Sequence, residues 1–150
     1  EIASCLVGSE MCIRDSYCKE DKVNISKSEM KTLLKSQQGE LNVVLMYQGL
    51  SNVVKDTKDA EIFRKLAAEE GHHAAVFHGL TKQNLKPKKT LSVFMPILYR
   101  IIGKKKLYPL IIKGEYDAAK NYAPIAKKFP EIESVKNDEK RHGDIVAGLL

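Results

Sequence analysis

A chain of 150 residues that is 43% hydrophobic and 29% charged has the size and composition of one globular domain, which excludes a disordered or low-complexity protein. Its longest apolar stretch, near Leu91 to Ile102, is broken by Ser92, Pro96 and Arg100 and covers about half of the roughly 20 residues a membrane helix needs. The three cysteines, Cys5, Cys12 and Cys18, form no C-x-x-C pair, which excludes a disulfide framework, a thiolate zinc site and a rubredoxin-like iron centre. The formal charge of +6 gathers in two runs, Lys86, Lys88 and Lys89, then Lys104, Lys105 and Lys106. With no aromatic residue interleaved among them as a single-strand platform requires, they read as solvated loops, a nucleic-acid or anionic-membrane surface being the alternative.

Residues 1–16, EIASCLVGSEMCIRDS, lack the basic start and long apolar run of a signal peptide. The stretch LVGSEMCIRDS resembles a translated sequencing-adapter fragment, so residues 1–25 are expected to be a non-native or disordered N-terminal segment, with the domain spanning 26–150. From Ser26 the pattern turns helical. Ser26 and Glu29 make an S-x-x-E capping box, and Met30, Leu33, Gln37, Glu40, Val44 and Tyr47 follow on one stripe of a helix expected to run to about Val54. Asp56 or Thr57 caps a second helix with the stripe Phe63, Leu66, Glu70, His73, Phe77 and Leu80, ended by Pro87 and its lysines. A short apolar piece, Leu91 to Ile102, stops at Gly103 and serves as a cap or crossover. The third long helix has Pro109 near its start and carries Ile111, Glu115, Ala118, Tyr122, Ile125 and Phe129, with Pro124 expected to kink its last turns. Pro130 opens the fourth, whose stripe is Ile132, Val135, Glu139, His142, Val146 and Leu149. The chain reaches Leu150 on that stripe with no stop signal, a pattern that leaves room for a further domain. No useful length alternates with period two, so the fold is predicted to be an all-helical four-helix bundle with a short extra helix between its halves.

The two halves repeat each other. Glu40 and Tyr47 match Glu115 and Tyr122 at the same spacing, and Glu70-x-x-His73 matches Glu139-x-x-His142. Four glutamates and two histidines thus lie on inward stripes, where an unpartnered carboxylate costs several kcal/mol, so a cation is expected among them. At i and i+3 a glutamate and a histidine share one helix face, and oxygen-rich ligation with one imidazole per metal suits iron or manganese. Chance predicts only about 0.3 E-x-x-H pairs for this composition, whereas three occur, the third being Glu69 with His72. That pair is turned by about 100° from the Glu70 stripe and reads as lying behind the ligands or on the surface; Asp138 should likewise point away from the centre. Gly39, Gly71, Gly114 and Gly143 each adjoin a proposed ligand, where close helix approach or room for a metal would explain a helix cost of about 1 kcal/mol. Tyr47 and Tyr122 are the candidate catalytic residues, placed to hydrogen-bond a ligand carboxylate, the alternative being core tyrosines with satisfied hydroxyls.

QQGELNVVLMYQGL, FRKLAAEEGHHAAVFHGL, KGEYDAAKNYAPIAKKFPE and NDEKRHGDIVAGLL resemble the rubrerythrin family of the ferritin-like superfamily, over roughly residues 26–150. The lysine-rich, apolar connection is also similar to the ferritin-like domain fused to some vacuolar-iron-transporter-type membrane proteins. The resemblance implies a ferritin-like four-helix bundle holding two iron ions, or manganese, on Glu40, Glu70, His73, Glu115, Glu139 and His142. It implies a cytoplasmic, homodimeric peroxidase or ferroxidase that oxidises Fe(II) and reduces hydrogen peroxide or oxygen. Two departures are visible: rubrerythrins usually carry a further glutamate where this chain has Ala118, and no rubredoxin module accompanies the bundle. The site then resembles the six-ligand centres of bacterioferritin or the transporter-linked domain, and electrons must come from the iron itself or from an external donor such as rubredoxin or a flavoprotein. The alternative is an iron-binding or delivery domain without turnover, linked to iron transport.

Overall fold

A computed structural model describes residues 24–150; Cys5, Cys12 and Cys18 and the adapter-like stretch lie outside the described residues. The elements are α1 (Lys27–Ser51), α2 (Thr57–Thr81), α3 (Thr90–Ile102), α4 (Lys104–Ala126) and α5 (Ile132–Ala147), and no strand occurs among the described residues. Ser26 caps α1 through the expected box, its Oγ accepting from the Glu29 N–H while the Glu29 carboxylate accepts from the Ser26 N–H. Asn24 and Ile25, placed outside the domain by the sequence reading, are attached to it: the Asn24 carbonyl accepts from Lys128 Nζ at 3.0 Å, and Ile25 packs on the core.

α1 ends three residues earlier than Val54, because Asn52 and Val53 close onto Gly49 and Leu50 in tight i→i−3 bonds of 3.3 and 3.0 Å. This frees Asp56 to cap α2, its carboxylate accepting from the Lys58 and Asp59 N–H groups. Gly103, at φ 71°, turns α3 directly into α4 with a single residue, a backbone conformation that favours glycine. Pro109 sits in the second turn of α4, and the helix continues two residues past Pro124. Phe129, assigned by its spacing to the third helix, lies just beyond α4, where it is buried.

α1 pairs with α2 and α4 with α5, each an antiparallel hairpin, while the long bundle halves meet where α2 crosses α5 and α3 packs on α1. Two apolar clusters form the core. One gathers Tyr47, Leu50, Phe63, Leu66, Leu107, Tyr108, Ile111 and Val146; the other gathers Leu33, Phe77, Tyr122, Phe129, Ile132 and Val135. Full burial of each large side chain stabilises by roughly 1.5–3 kcal/mol, so the clusters hold the helices firmly on either side of a middle layer. That layer is polar, and it contains the six residues singled out by their spacing.

A candidate metal centre in the middle of the bundle

Glu40 on α1, Glu70 and His73 on α2, Glu115 on α4, and Glu139 and His142 on α5 are all buried. One ligand-type atom from each of Glu70, His73, Glu139 and His142 falls within 4.8 Å of the others. Glu40 and Glu115 flank this group, with oxygens 3.9 Å from His73 Nδ1 and from His142 Nδ1 respectively. The imidazoles stack with centroids 5.2 Å apart, and both turn Nδ1 inward: His142 Nδ1 is 3.0 Å from Glu70 and His73 Nδ1 3.0 Å from Glu139.

The outward nitrogens meet carboxylates too. His142 Nε2 lies 2.7 Å from Glu69, and His73 Nε2 3.5 Å from Asp138. Arg141 joins these two carboxylates, its Nη2 donating to Glu69 at 2.7 Å and to Asp138 at 2.8 Å. Glu69 and Asp138 therefore stay outside the inner cluster, as expected, but they hold its imidazoles in place; His72 is exposed. An outer carboxylate fixes which ring nitrogen keeps its proton and leaves Nδ1 to face the centre. The signal was present in the repeat: an acidic residue precedes the inner glutamate in both halves, Glu69-Glu70-x-x-His73 and Asp138-Glu139-x-x-His142. Arg141 has no counterpart in the first half, where His72 occupies that position, so repetition could not reveal it.

The tyrosines pair across the bundle. Tyr47 on α1 donates to Glu115 on α4, and Tyr122 on α4 donates to Glu40 on α1. Burial, and then the facing carboxylates, raise both phenols above their ordinary range, so they remain protonated donors.

The charges are mutually strained. Burial first, and neighbouring Glu70 and Glu139, push Glu40 and Glu115 well above the usual carboxylate range. Burial works the same way on Glu70, yet the hydrogen bond with His142, together with the neighbouring His73 and Glu40, holds it down to about 2. Burial disfavours a charged His73, but Glu139 and Glu70 outweigh it and lift the ring to about 10. Three buried atoms, Glu70 Oε2, His73 Nδ1 and Glu139 Oε1, crowd one another, with His73 Nδ1 3.0 Å from Glu139 Oε1 and 3.4 Å from Glu70 Oε2, yet none of them makes an aligned hydrogen bond, and an unsatisfied buried atom of this kind costs about 1–3 kcal/mol. All three belong to the inner cluster, so a cation placed there would satisfy what the protein leaves open. Four carboxylates and two imidazoles, without thiolate, fit a hard or borderline divalent pair such as iron or manganese.

A cavity of about 280 Å³ leads to this centre between α1, α3 and α4, walled by Val43, Met46, Leu91, Met95 and Ile111, and it reaches Glu40 and Glu115. Ala118 lines the same space. The glycines divide into two kinds. A Cβ on Gly39, Gly71 or Gly114 would meet nothing within 4 Å, whereas one on Gly143 would lie 2.6 Å from the Tyr116 ring. Close approach thus accounts for Gly143; Gly39 and Gly114 instead border open space beside the carboxylates.

Among the described residues no helix is long and apolar enough to cross a membrane. Comparison with curated proteins finds no match, and comparison with solved structures finds none. The sequence profile of the family described as Rubrerythrin matches residues 31–150, from the first turns of α1 to the last residue. With a four-helix bundle that places paired E-x-x-H stripes around a buried carboxylate cluster, the chain belongs to the rubrerythrin family, with its ferritin-like fold.

Proposed function

We propose that the protein is a di-iron oxidoreductase in which Glu40, Glu70, His73, Glu115, Glu139 and His142 hold two iron ions, and which oxidises Fe(II) while reducing hydrogen peroxide or oxygen. The observation that carries this reading is the buried cluster of Glu70, His73, Glu139 and His142, drawn from two helices, in which three crowded atoms make no hydrogen bond, flanked by one further carboxylate from each of the other two. Bound ferrous iron would supply the electrons and the Lewis acidity for reducing an O–O bond.

The chain's own groups have distinct tasks in this reading. Asp138 and Glu69 keep a proton on each Nε2 and turn each Nδ1 toward the centre. Tyr47 and Tyr122 hold Glu115 and Glu40 by hydrogen bonds from helices other than their own, which fixes the direction of each carboxylate. Val43, Met46, Leu91 and Met95 form an apolar approach that admits a small neutral oxidant and limits water at the centre. Re-reduction depends on an external donor of the rubredoxin or flavoprotein type, and the reading places the protein in the cytoplasm.

Ala118 favours keeping a second reading, iron binding or delivery without turnover, because this cavity-lining position contributes no further carboxylate. The two separate in one experiment on anaerobically reduced protein loaded with iron and mixed with peroxide in a stopped-flow instrument. Two irons per chain and a fast absorbance phase that ends after about one equivalent of peroxide per two-iron site, with further turnover only on adding reductant, are expected for the oxidoreductase. Iron binding with no reaction toward peroxide or oxygen leaves the delivery reading. Sustained peroxide consumption without reductant would point to catalase-like manganese chemistry.

A further inference from the structure

α3 is a helix of 13 residues of which none is buried. One side of it is anchored. Leu91, Met95, Leu98, Tyr99 and Ile102 pack partly buried on the core, and the backbone of α3 comes so close to α1 that a Cβ on Gly49 would lie 2.7 Å from the Ser92 carbonyl oxygen and 3.0 Å from Pro96. With that side fixed, Val93, Phe94, Ile97 and Ile101 make up the opposite stripe, exposed by 58, 54, 49 and 74%. A helix apolar on both sides has the pattern of one covered on both sides, and a contiguous exposed apolar stripe marks an interaction surface.

Charge indicates what covers it. Between Glu70 and Glu115 the chain has nine Lys and Arg and no Asp or Glu. Lys86, Lys88 and Lys89 precede α3, and Lys104, Lys105 and Lys106 follow it; all but Lys104 are exposed. Lys104 is engaged by Asp59 at 3.3 Å. The first run is held in place by α1: Gln37 donates to the Gln83 carbonyl at 2.9 Å, Gln38 to the Lys86 carbonyl at 3.0 Å, and Asn42 accepts from the Lys88 N–H at 2.7 Å. The result is an apolar stripe about 20 Å long with fixed positive charge at each end. A second copy of the chain, docked through the same stripe, would bring basic runs against basic runs with no acidic residue in the segment to offset them, so a homodimer would use another face.

We infer that α3 lies flat on an anionic lipid surface, with Val93, Phe94, Ile97 and Ile101 entering the boundary between headgroups and acyl chains and the flanking lysines among the lipid phosphates. A helix that exposes one apolar face between basic flanks binds membranes in this way, through buried apolar area added to electrostatic attraction. No described helix is long and apolar enough to cross the bilayer, so the association would be peripheral. The exposed stripe is separate from Leu91 and Met95, through which α3 walls the cavity that reaches the metal centre.

Co-sedimentation of the purified chain with phosphatidylcholine vesicles, with and without phosphatidylglycerol, tests this. Binding is expected only to the anionic vesicles and should weaken sharply as salt rises from about 0.1 M to about 1 M. Ile97→Glu and Ile101→Glu, both at exposed positions, should each reduce partition at least tenfold with helical content unchanged by circular dichroism. Lys105→Gln and Lys106→Gln should reduce it by about fivefold each. Equal binding to both vesicle types, no binding to either, or anionic binding indifferent to Ile97→Glu would overturn the inference. So would a parent dimer in size-exclusion chromatography that Ile97→Glu converts to monomer, since the stripe would then be covered by a second copy.

Discussion

Arg141 acts on two helices at once, because the carboxylates it joins, Glu69 of α2 and Asp138 of α5, each face the outer nitrogen of the other helix's buried imidazole. Removing an outer partner of a ligand histidine typically costs 10–100-fold in metal affinity. Arg141→Ala and Glu69→Ala are therefore expected to weaken iron binding within that range, while Glu70→Ala or Glu139→Ala should lose at least one metal outright. Anaerobic Fe(II) titration of the four variants measures this, and equal losses for Glu69→Ala and Glu70→Ala would show that the inner face has been misassigned. A second residue-scale contrast concerns glycines. Gly143→Ala forces its Cβ against Tyr116, whose hydroxyl is held by Asp144 at 2.6 Å, and should destabilise by about 1–3 kcal/mol. Gly79→Ala meets nothing within 4 Å inside α2 and should stabilise by about 0.5–1 kcal/mol. Denaturant midpoints of the two variants, moving in opposite directions, would verify the pair.

The start of α1 is tied to the turn that follows α4 by Glu29, which accepts from Lys128 at 2.7 Å. The Lys128 hydrogen bond, with those from Ser26, holds the Glu29 carboxyl down to about 2. A carboxyl depressed in the folded state stabilises it above the ordinary value near 4.5, and the benefit fades as pH falls toward 2. The stability difference between the parent and Glu29→Gln should accordingly be largest near neutral pH and shrink between pH 5 and pH 2, as chemical denaturation at several pH values would measure. The capping box, the Asp56 cap, the Gly103 stop and the inward stripes were legible because each depends on neighbours within one or two helical turns. The end of α1 was misjudged by three residues since apolar Val53 and Val54 continue the pattern while the backbone has already tightened. Periodicity also identifies a face without saying what it faces: the opposite-helix partners of Tyr47 and Tyr122, the bond from Tyr108 to buried Asp59 at 2.7 Å, and the exposed side of α3 all depend on distant parts of the chain. The lysine runs look like ordinary solvated loops until the apolar stripe between them is seen to be exposed.

At the scale of the whole molecule, the middle layer opposes the two apolar clusters it separates, since buried carboxylates and three atoms without a hydrogen bond stand where a core would otherwise continue. Metal that binds only the folded chain adds about 2.7 kcal/mol when its free concentration is about 100 times Kd, which shifts the melting temperature of a domain this size by on the order of 10 °C. Calorimetry with and without Fe(II) under anaerobic conditions should show that rise in the parent and little of it in Glu139→Ala. The cross-bundle pairing carries a separate consequence. Tyr47 serves the carboxylate of α4 and Tyr122 that of α1, just as Glu69 of α2 faces the imidazole of α5 and Asp138 of α5 that of α2. This reciprocity is the geometry of an isologous dimer interface, here enclosed within a single polypeptide. Each hairpin is thus the scaffold for the other's ligands, and a lesion such as Tyr47→Phe should release Glu115 on the far hairpin while Glu40, on its own helix, stays held.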